Sequence, residues 1–328
     1  MPAETAPHER TLIAFPCRES LWRGHLGEGR RAFAGVARAI ARFEPVTVLA
    51  RPDDTDEARA LCGETVEVVE FALDDSWVRD TGPVYVTNGA VRRGVDFAFN
   101  GWGGKYVPYD TDATIARRWC ELAGDARREV PMVLEGGAIA VDGQGTMVTT
   151  EQCLLHPNRN PSMTRSEIEA VLADALGVTA IVWIPYGIDD RDTDGHVDNS
   201  IAFPEPGMVL LQSCADRHDP EHDRARANRQ ALDASVDAAG QRLTVVELPE
   251  LAYVEIDGER LPVPYANLYA VNGAVIVPVT GHPADDGTLE IVAGCYPDRE
   301  VVPVPGAWVA YGGGGPHCMT QQVPIPCA

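Results

Sequence analysis

Short hydrophobic runs along the chain come in pairs, and a two-residue turn sequence separates the members of each pair. The four turns are Asn88-Gly89, Asp142-Gly143, Pro206-Gly207 and Asn272-Gly273. Turn residues of this kind between β-rich runs are the strongest short-range signal for a β-hairpin. The turns lie 54, 64 and 66 residues apart. The sequence therefore predicts four hairpins at a nearly regular interval.

A helix-like stretch and another hydrophobic run follow each predicted hairpin. In SEIEAVLADAL, for example, the apolar residues from Ile168 to Leu176 recur at helical spacing. The predicted helices span residues 112–124, 163–175, 221–239 and 285–294. The strands predicted to follow them span residues 129–134, 179–184, 243–248 and 300–305. The repeating unit is thus predicted to be β-β-α-β, which indicates an α/β fold.

The two ends of the chain together supply a fifth unit. The run TLIAF (11–15) precedes the amphipathic stretch 30–43 and the run VTVLA (46–50). The missing partner strand is predicted in CMTQQVPI (318–325). Five units of about 65 residues indicate a radial or stacked array, and a ring closed by the chain ends leaves only short edges exposed. The period alone leaves an ordinary mixed α/β sheet open as the alternative.

Composition and charge narrow the class of protein. The 328 residues allow one large domain or two, and a closed ring favours a single domain over residues 1–328. The net charge of −22 argues against nucleic acid or an anionic membrane as partner. No run of 18 apolar residues and no secretory signal are present in the sequence. Eight cysteines without a C-x-x-C pair favour reduced thiols and a cytoplasmic location.

Four polar segments mark where the units of such a ring would converge. They are DDSWVRDTGP (74–83), LEGG (134–137), DRDTDGHVDN (190–199) and GGGGPHCMTQQ (312–322). Together they offer one thiol, one imidazole and three carboxylates. These groups belong to Asp80, Glu135, His196, Asp198 and Cys318.

This set of side chains suits chemistry on a guanidinium ion. A cysteine near a protonated histidine can form a thiolate, the strongest side-chain nucleophile. Paired carboxylates complement the parallel N–H donors of a planar guanidinium. His196 and Asp198 lie two residues apart, so on a strand they would point to the same face. We therefore expect Cys318 to attack a guanidinium carbon while His196 moves protons.

Simpler explanations compete at each of these positions. A lone cysteine is usually an inert buried residue, although the glycines before Cys318 would let a ligand approach the backbone closely. The segment from Asp190 to Gly195 matches the start of a calcium-binding EF-hand loop, but Ile201 stands where that loop needs Glu. No metal is therefore predicted. The glycine-rich and aromatic stretch FNGWGGKYVPYD suits a loop that covers a ligand.

Six motifs in order resemble those of the agmatine deiminases, which belong to a guanidine-modifying superfamily that includes the peptidylarginine deiminases. The motifs are DDSWVRDTGP, FNGWGGKY, LEGGAIAVDGQGTMVTTEQCLLHPNRNP, DTDGHVDN, NLYAVNGAVIVP and GGGGPHCMTQQ. They span residues 74–322. The resemblance implies a five-bladed α/β-propeller, or pentein. It also implies cofactor-free hydrolysis of agmatine to N-carbamoylputrescine and ammonia, a step of putrescine and polyamine metabolism.

The resemblance also implies roles for individual residues. Cys318 would be the nucleophile, and His196 the general acid and base. Asp80 and Asp198 would hold the guanidinium, and Glu135 would orient His196 from a second layer.

Contacts with the rest of the substrate are implied at four further positions. Trp77 would form a wall of the pocket, and Asp192 would meet the far amine of agmatine. Trp102 and Gly315 are further candidates for substrate contact. Because such ring-shaped acidic enzymes often pair, a homodimer is a further expectation, although no sequence motif identifies an interface.

Departures from the family pattern affect the pocket and none of the catalytic residues, so they bear on the substrate. Gly315-Pro316 replaces an Asn and an apolar residue, while Ala138 and Ala140 replace a Ser and a His. Free arginine would need a cationic partner for its carboxylate, for which Arg79 and Arg191 are available. Peptidylarginine would need an open rim. The alternative from another class of protein is a module that binds a guanidinium and catalyses no reaction.

Overall fold

The computed structural model describes residues 1–189 and 192–326. In chain order its strands are β1 (His8–Ala14), β2 (Val46–Ala50), β3 (Glu67–Glu70), β4 (Val84–Asn88), β5 (Val91–Ala98), β6 (Ala126–Val133), β7 (Ile139–Val141), β8 (Thr146–Thr150), β9 (Ala180–Ile184), β10 (Ile201–Glu205), β11 (Met208–Gln212), β12 (Thr244–Leu248), β13 (Ala252–Ile256), β14 (Glu259–Val263), β15 (Tyr269–Val271), β16 (Ala274–Val279), β17 (Glu300–Pro305) and β18 (Thr320–Pro324).

The α-helices of the described residues are, in the same order, α1 (Glu19–Trp22), α2 (Leu26–Ile40), α3 (Thr55–Cys62), α4 (Val78–Thr81), α5 (Gly101–Gly104), α6 (Ile115–Ala123), α7 (Glu151–Leu154), α8 (Arg165–Leu176), α9 (Pro220–Asp233), α10 (Asp285–Cys295) and α11 (Ala307–Tyr311).

Five sheets repeat one order of strand pairing. In the sheets β4-β5-β6, β7-β8-β9, β10-β11-β12 and β15-β16-β17, the first pair is antiparallel and the second pair is parallel. A helix crosses over between the two parallel strands of each sheet. These crossover helices are α6, α8, α9 and α10. The predicted β-β-α-β unit is therefore confirmed at all four hairpins.

The fifth sheet joins the two ends of the chain. Strand β18 pairs antiparallel with β1, with Thr11 opposite Gln322, and β1 pairs parallel with β2 across helix α2. A fourth strand, β3, extends this sheet beyond β2. The partner strand predicted near the C-terminus is thus confirmed. Strand β18 also lies against β4, and β7 lies against β10, so neighbouring units meet through their first strands. The fold is the predicted five-bladed α/β-propeller.

The turn residues explain why the hairpins form where they do. The glycine of each predicted turn, at positions 89, 143, 207 and 273, has a positive φ that glycine adopts without a steric penalty. A fifth hairpin, β13-β14, was not predicted. Its turn is Asp257-Gly258, in which both residues have positive φ. Because Asp-Gly is a preferred pair for this turn, the signal was present in the sequence.

One predicted helix ends earlier than its pattern suggested. Helix α9 ends at Asp233, not at residue 239. The chain then turns, because the Asp237 carboxylate accepts hydrogen bonds from the backbone N–H groups of Ala239 and Gln241. Side chains of aspartate commonly compete with helical bonding in this way.

None of the helices in the described part of the chain has both the length and the apolar composition needed to cross a bilayer. The single domain over residues 1–328 and the cytoplasmic location remain predictions.

Trp22 packs where the first unit meets the C-terminal glycine run. Its side chain is fully buried and makes an edge contact with Phe33 on helix α2. A Cβ atom on Gly29 or on Gly312 would come within 3.0 Å of the indole ring. Both glycines are therefore required by the volume of this ring. In contrast, a Cβ atom on Gly35 of the same helix would meet only the end of the Arg38 side chain.

These two helical glycines give opposite predictions for stability. Gly29→Ala should destabilise the protein by about 1–3 kcal/mol, because the ring is confined and the core must shift. Gly35→Ala is the matched control and should stabilise by about 0.5–1 kcal/mol through helix propensity. Urea unfolding of both variants measures the difference. Equal effects of the two substitutions would contradict the described packing.

Candidate active site

The side chains predicted to form a site come from four of the converging segments. Asp80 lies on the short helix α4, and Glu135 lies two residues after the end of strand β6. His196 and Asp198 lie between β9 and β10, and Cys318 precedes β18. His196 and Asp198 were expected on a strand, which is wrong, because residues 197–199 form a 3-10 turn. All five side chains are buried.

Cys318 is held between a carboxylate and an amide. Its Sγ donates to Asp198 Oδ2 at 3.3 Å and accepts from Asn267 Nδ2 at 3.1 Å. The oxygen of the same amide, Asn267 Oδ1, accepts a hydrogen bond from the backbone N–H of His317 at 3.0 Å. Sequence reasoning did not identify Asn267, although it belongs to the quoted motif NLYAVNGAVIVP. The amide fixes the backbone and side chain of the cysteine together.

Both oxygens of Asp80 are oriented by hydrogen bonds. Oδ1 accepts from the backbone N–H of Gly137 at 2.9 Å, and Oδ2 accepts from Trp102 Nε1 at 2.9 Å. A Cβ atom on Gly137 would lie within 3.0 Å of His196 Nδ1 and of the Asp80 carboxylate. Glycine at position 137 therefore leaves free the space between the imidazole and the carboxylates.

The loop that carries Trp102 has an unusual backbone. Trp102 has φ 53° and ψ 48°, and the glycines at positions 101, 103 and 104 also have positive φ. A left-handed conformation of a bulky residue costs on the order of 1–3 kcal/mol and is often found at functional sites. Here it places the indole against Phe99 and on Asp80.

His196 occupies a buried position beside three other polar side chains. Its Nδ1 lies 3.8 Å from Asp80 Oδ1. Atoms of His196, Glu135 and Cys153 all lie within 4.8 Å of one another. This trio has the composition of a metal site. However, Glu135 Oε1 already accepts from Arg159 Nε at 2.6 Å, and that guanidinium opposes a second cation.

Arg159 connects Glu135 to the loop that precedes His196. Its guanidinium also donates to the Thr193 carbonyl at 3.0 Å and to Asp194 Oδ2 at 2.8 Å. The Arg159 and Glu135 side chains are completely buried, so removing one partner would leave an uncompensated charge. Arg159 lies in the quoted motif HPNRNP but was not predicted to have a role.

Several buried polar atoms of the site have no hydrogen-bond partner among the described residues. They are Asp198 Oδ1, Glu135 Oε2 and both ring nitrogens of His196. Buried polar groups in proteins are normally hydrogen-bonded. Unpaired atoms from three neighbouring side chains therefore indicate a binding site for a polar ligand.

The environment keeps Cys318 protonated when no ligand is bound. Burial raises the pKa of its thiol well above the ordinary value, and the charges of Asp198 and Asp80 raise it further. The hydrogen bonds from the Gly315 backbone and from Asn267 favour the thiolate but do not outweigh these effects. The sequence-based expectation of a thiolate therefore requires a positive charge that a bound ligand can supply.

The charge of His196 is opposite to that of its surroundings. Burial alone would lower the pKa of this imidazole, but Asp80, Cys153 and Glu135 raise it to about 10. His196 is therefore an imidazolium ion at neutral pH. A buried imidazolium 3.8 Å from the Asp80 carboxylate can act as a proton donor to a ligand held at that carboxylate.

A cleft opens over Cys318 and Asp80. Asp198 lies beside Cys318 but lines a second cavity, next to this cleft. Its lining residues include Trp77, Trp102 and Asp192, as the sequence predicted for the pocket. Asp192 accepts a short hydrogen bond from the Tyr106 hydroxyl. Asp75 also lines the cleft, but its Oδ2 accepts from Arg18 Nε at 2.6 Å.

The four glycines before His317 meet a steric demand. At each one, a Cβ atom would come within 3.0 Å of a neighbouring side chain. The neighbours are Trp22 for Gly312, Asp192 for Gly313, Trp77 for Gly314 and Asn267 for Gly315. Gly312 and Gly313 line the cleft, whereas Gly315 lies against Asn267. Because these four residues have no side chains, the backbone can pass between the pocket wall and Cys318.

Arg79, one of the two arginines considered for a substrate carboxylate, lies outside this cleft. Arg79 donates to the His317 carbonyl at 3.2 Å and to Gln322 Oε1 at 2.7 Å, and lies near the Tyr269 ring. It lines a different cavity, on the other side of Asp198. Arg191 lies outside the described residues. Asp190, the first residue of the calcium-like pattern, also lies outside them.

A profile of the Porphyromonas-type peptidyl-arginine deiminase family matches residues 1–324. The chain belongs to this family. Among its relatives in the family, the agmatine deiminase of Stutzerimonas stutzeri (strain A1501) is 44% identical, covering 99% of this chain and 95% of the relative. The agmatine deiminase of Pseudomonas aeruginosa (strain LESB58) is also 44% identical, with the same coverage.

Solved structures agree with this assignment. The structure of the agmatine deiminase of Enterococcus faecalis matches with a TM-score of 0.96 and 36% identity, covering 99% of this chain and 95% of that chain. The resemblance to the agmatine deiminases and the pentein fold are therefore confirmed.

The buried carboxylates of this deiminase site predict selective labelling of Cys318. Chloroacetamidine is a cation, whereas chloroacetamide is neutral and of nearly the same size. The cation should alkylate Cys318 at least about tenfold faster, because an opposite charge favours the thiolate. Mass spectrometry of the labelled peptide over time measures both rates.

Two variants control this experiment. Cys318→Ser should abolish the labelling of that peptide, and Asp198→Asn should reduce the preference for the cation. Equal rates with both reagents in the unmodified protein would contradict the described electrostatics.

Proposed function

We propose that this chain is a hydrolase that removes ammonia from the guanidinium of agmatine and produces N-carbamoylputrescine. The observation that carries the proposal is a buried thiol between Asp198 and Asn267 that needs a cation to ionise. The names of the family relatives support agmatine as that cation. The partner is then a small cationic guanidine.

Binding would place the flat guanidinium against Asp80 and Asp198. Asp198 Oδ1 has no partner among the described residues, and Asp80 is fixed by Trp102 and Gly137. Parallel N–H donors of the guanidinium match such carboxylate acceptors. Fixing the cation also removes its orientational freedom before attack, which contributes several kcal/mol in well-oriented reactions.

The first half of the reaction forms a bond between Cys318 Sγ and the guanidinium carbon. The thiol releases its proton to water as the cation arrives, and the thiolate adds to the carbon to give a neutral tetrahedral adduct. The His196 imidazolium then protonates one amino group, and the carbon–nitrogen bond breaks. Ammonia leaves, and a thiouronium cation remains on Cys318.

The second half of the reaction releases the product. Neutral His196 now takes a proton from water, and the hydroxide adds to the thiouronium carbon. The carbon–sulfur bond breaks, which restores the thiolate and the His196 imidazolium. The proton left on the new hydroxyl group passes to the Cys318 thiolate and restores the thiol, and the released ammonia takes up a proton from water, so the products are N-carbamoylputrescine and ammonium. Glu135 has the role of holding His196 in this orientation from behind.

The tail of agmatine ends in an ammonium group, for which Asp192 is the proposed partner. Asp192 and Cys318 line the same cleft, and Gly313 next to Asp192 leaves no side chain in between. Arginine as substrate would place its carboxylate near Asp192 and Asp75, where the charges repel. Arg79 lines another cavity and is already bonded. The geometry thus favours agmatine over free arginine.

The substrate assignment predicts how Asp192 acts. Asp192→Asn should raise KM for agmatine at least about tenfold, a loss of about 1.4 kcal/mol. The same substitution should leave the turnover of butylguanidine unchanged, because that molecule lacks the terminal amine. Ammonia release measures both substrates.

Arginine and a blocked arginyl peptide complete the substrate panel. The unmodified protein should release ammonia from agmatine with the highest kcat/KM. A higher value for either arginine compound would contradict the assignment, and binding of all of them without ammonia release would identify a binding module.

The covalent mechanism makes a separate prediction. Cys318→Ala and Cys318→Ser should abolish ammonia release from agmatine, because no other group can form the thiouronium. Asp80→Asn and Asp198→Asn should each lower kcat/KM by about 30-fold or more, equivalent to at least 2 kcal/mol for one partner of a buried charge pair. Single-turnover assays with acid quench measure these effects. Retained turnover in Cys318→Ala would exclude covalent catalysis.

A further inference from the structure

A chain of charged side chains runs behind the nucleophile, on the side away from the cleft. Asp198 Oδ2 accepts from His317 Nδ1 at 2.8 Å, and His317 Nε2 lies 2.8 Å from Glu4 Oε2. The other oxygen of Glu4 accepts from the backbone N–H of Ala270 at 2.8 Å. The N-terminal segment thereby reaches the interior of the propeller and connects to Asp198.

The protonation state of His317 depends on the charged and polar groups that face its ring. They are the carboxylates of Glu4 and Asp198, the guanidinium of Arg79 and the ring of Tyr269. Burial and Arg79 lower the pKa of His317, but Glu4 and Asp198 outweigh them and raise it. Burial alone would raise the pKa of Glu4, yet the charges of His317 and Arg79 lower it. Both ring nitrogens of His317 lie 2.8 Å from a carboxylate oxygen, which favours the imidazolium form.

The Asp198 carboxylate is oriented by this arrangement. Its Oδ2 receives both the His317 ring N–H and the Cys318 thiol, while Oδ1 has no partner among the described residues. Charge-assisted bonds of this kind are about twice as strong as neutral ones. Despite its burial, the pKa of Asp198 is lowered, mainly by His317. His317 thus favours the ionised form of Asp198 and leaves its second oxygen available to a ligand.

We propose that Glu4 and His317 are positioning residues for the reaction: the Glu4–His317–Asp198 chain holds Asp198 as an oriented carboxylate at the nucleophile. This inference rests on the proposed function, because it assigns Asp198 to the binding of a guanidinium. Neither residue touches the substrate. Both act through Asp198, and the N-terminal segment is part of the active-site architecture.

A second histidine–glutamate pair in the same segment provides a matched control. His8 Nδ1 lies 3.1 Å from Glu44 Oε1, and both side chains are buried. Glu44 also accepts from the backbone N–H of Asn272 at 2.7 Å. This pair contacts none of the five side chains assigned to catalysis, although His8 Nε2 lies 2.7 Å from the backbone carbonyl of Glu4. It reports the structural effect of removing a buried carboxylate from this region while the Glu4 side chain is kept.

The test compares pH profiles of kcat/KM for agmatine. The positive charge of His317 is present below its pKa and is lost as the pH rises through it. Glu4→Gln removes one group that raises this pKa, so the alkaline limb of the profile should move to lower pH by about one unit or more, with a loss of about tenfold at its upper end. Glu4→Asp should restore part of the shift.

Glu44→Gln should lower the melting temperature without moving this limb. His317→Asn removes the charge and should lower kcat/KM about tenfold or more at neutral pH. If Glu4→Gln does not fold, the test rests on His317→Asn. Activity of His317→Asn equal to that of the unmodified enzyme would then overturn the proposal. An alkaline limb that stays in place in folded Glu4→Gln overturns it as well.

The rate of Cys318 alkylation by chloroacetamidine gives a readout that is independent of turnover. The same shift of the alkaline limb is expected there, because Asp198 also attracts this cation. A protein that does not hydrolyse agmatine but shows the shift would refute the proposed function and retain the Glu4–His317–Asp198 chain. Hydrolysis of agmatine without the shift would refute only the chain.

Discussion

Two buried carboxylates beside a buried thiol are the constraint on which the rest of this structure depends. Asp80 and Asp198 are almost inaccessible to solvent, and their charges help to keep Cys318 protonated. Asp198 Oδ1 has no hydrogen-bond partner among the described residues, and a buried unpaired carboxylate oxygen is costly, so a planar cation that donates to it would relieve this cost. The site therefore couples binding to activation, because the cation that satisfies the carboxylates also favours the thiolate. Specificity for a guanidinium and reactivity toward it have the same electrostatic origin.

Several parts of the propeller hold the two carboxylates and the thiol in place. The glycine run 312–315 passes between the pocket wall and the nucleophile, and the left-handed loop around Trp102 brings an indole N–H to Asp80. Two imidazolium ions flank the carboxylates: His196 faces Asp80, and His317 faces Asp198. We assign different tasks to them. His196 moves protons at the reacting carbon, whereas His317 fixes a carboxylate from behind.

Much of the fold was predictable, because its turns carry strong local signals. Asn-Gly and Asp-Gly pairs specified the hairpins, and the amphipathic pattern specified the crossover helices. The same signal at Asp257-Gly258 was overlooked, because that hairpin interrupts the repeat. The five central side chains were predictable from their chemistry and from the convergence of units around an axis. Asn267, Arg159 and the link from Glu4 to His317 were not, because they depend on which distant segments meet in space. Between 24 and 313 residues along the chain separate such partners, as in Arg159–Glu135 and Glu4–His317.

The central claim concerns the ionisation of Cys318, and the ultraviolet absorbance of its thiolate tests it most directly. The absorbance should be measured as a function of pH in the ligand-free protein and in the Asp80→Asn variant. The same titration of each protein with Cys318→Ser added gives the background to subtract. The account predicts no thiolate at neutral pH in the unmodified protein, and a titration at lower pH in Asp80→Asn. A thiolate at neutral pH in the ligand-free protein, unchanged by Asp80→Asn, would contradict it.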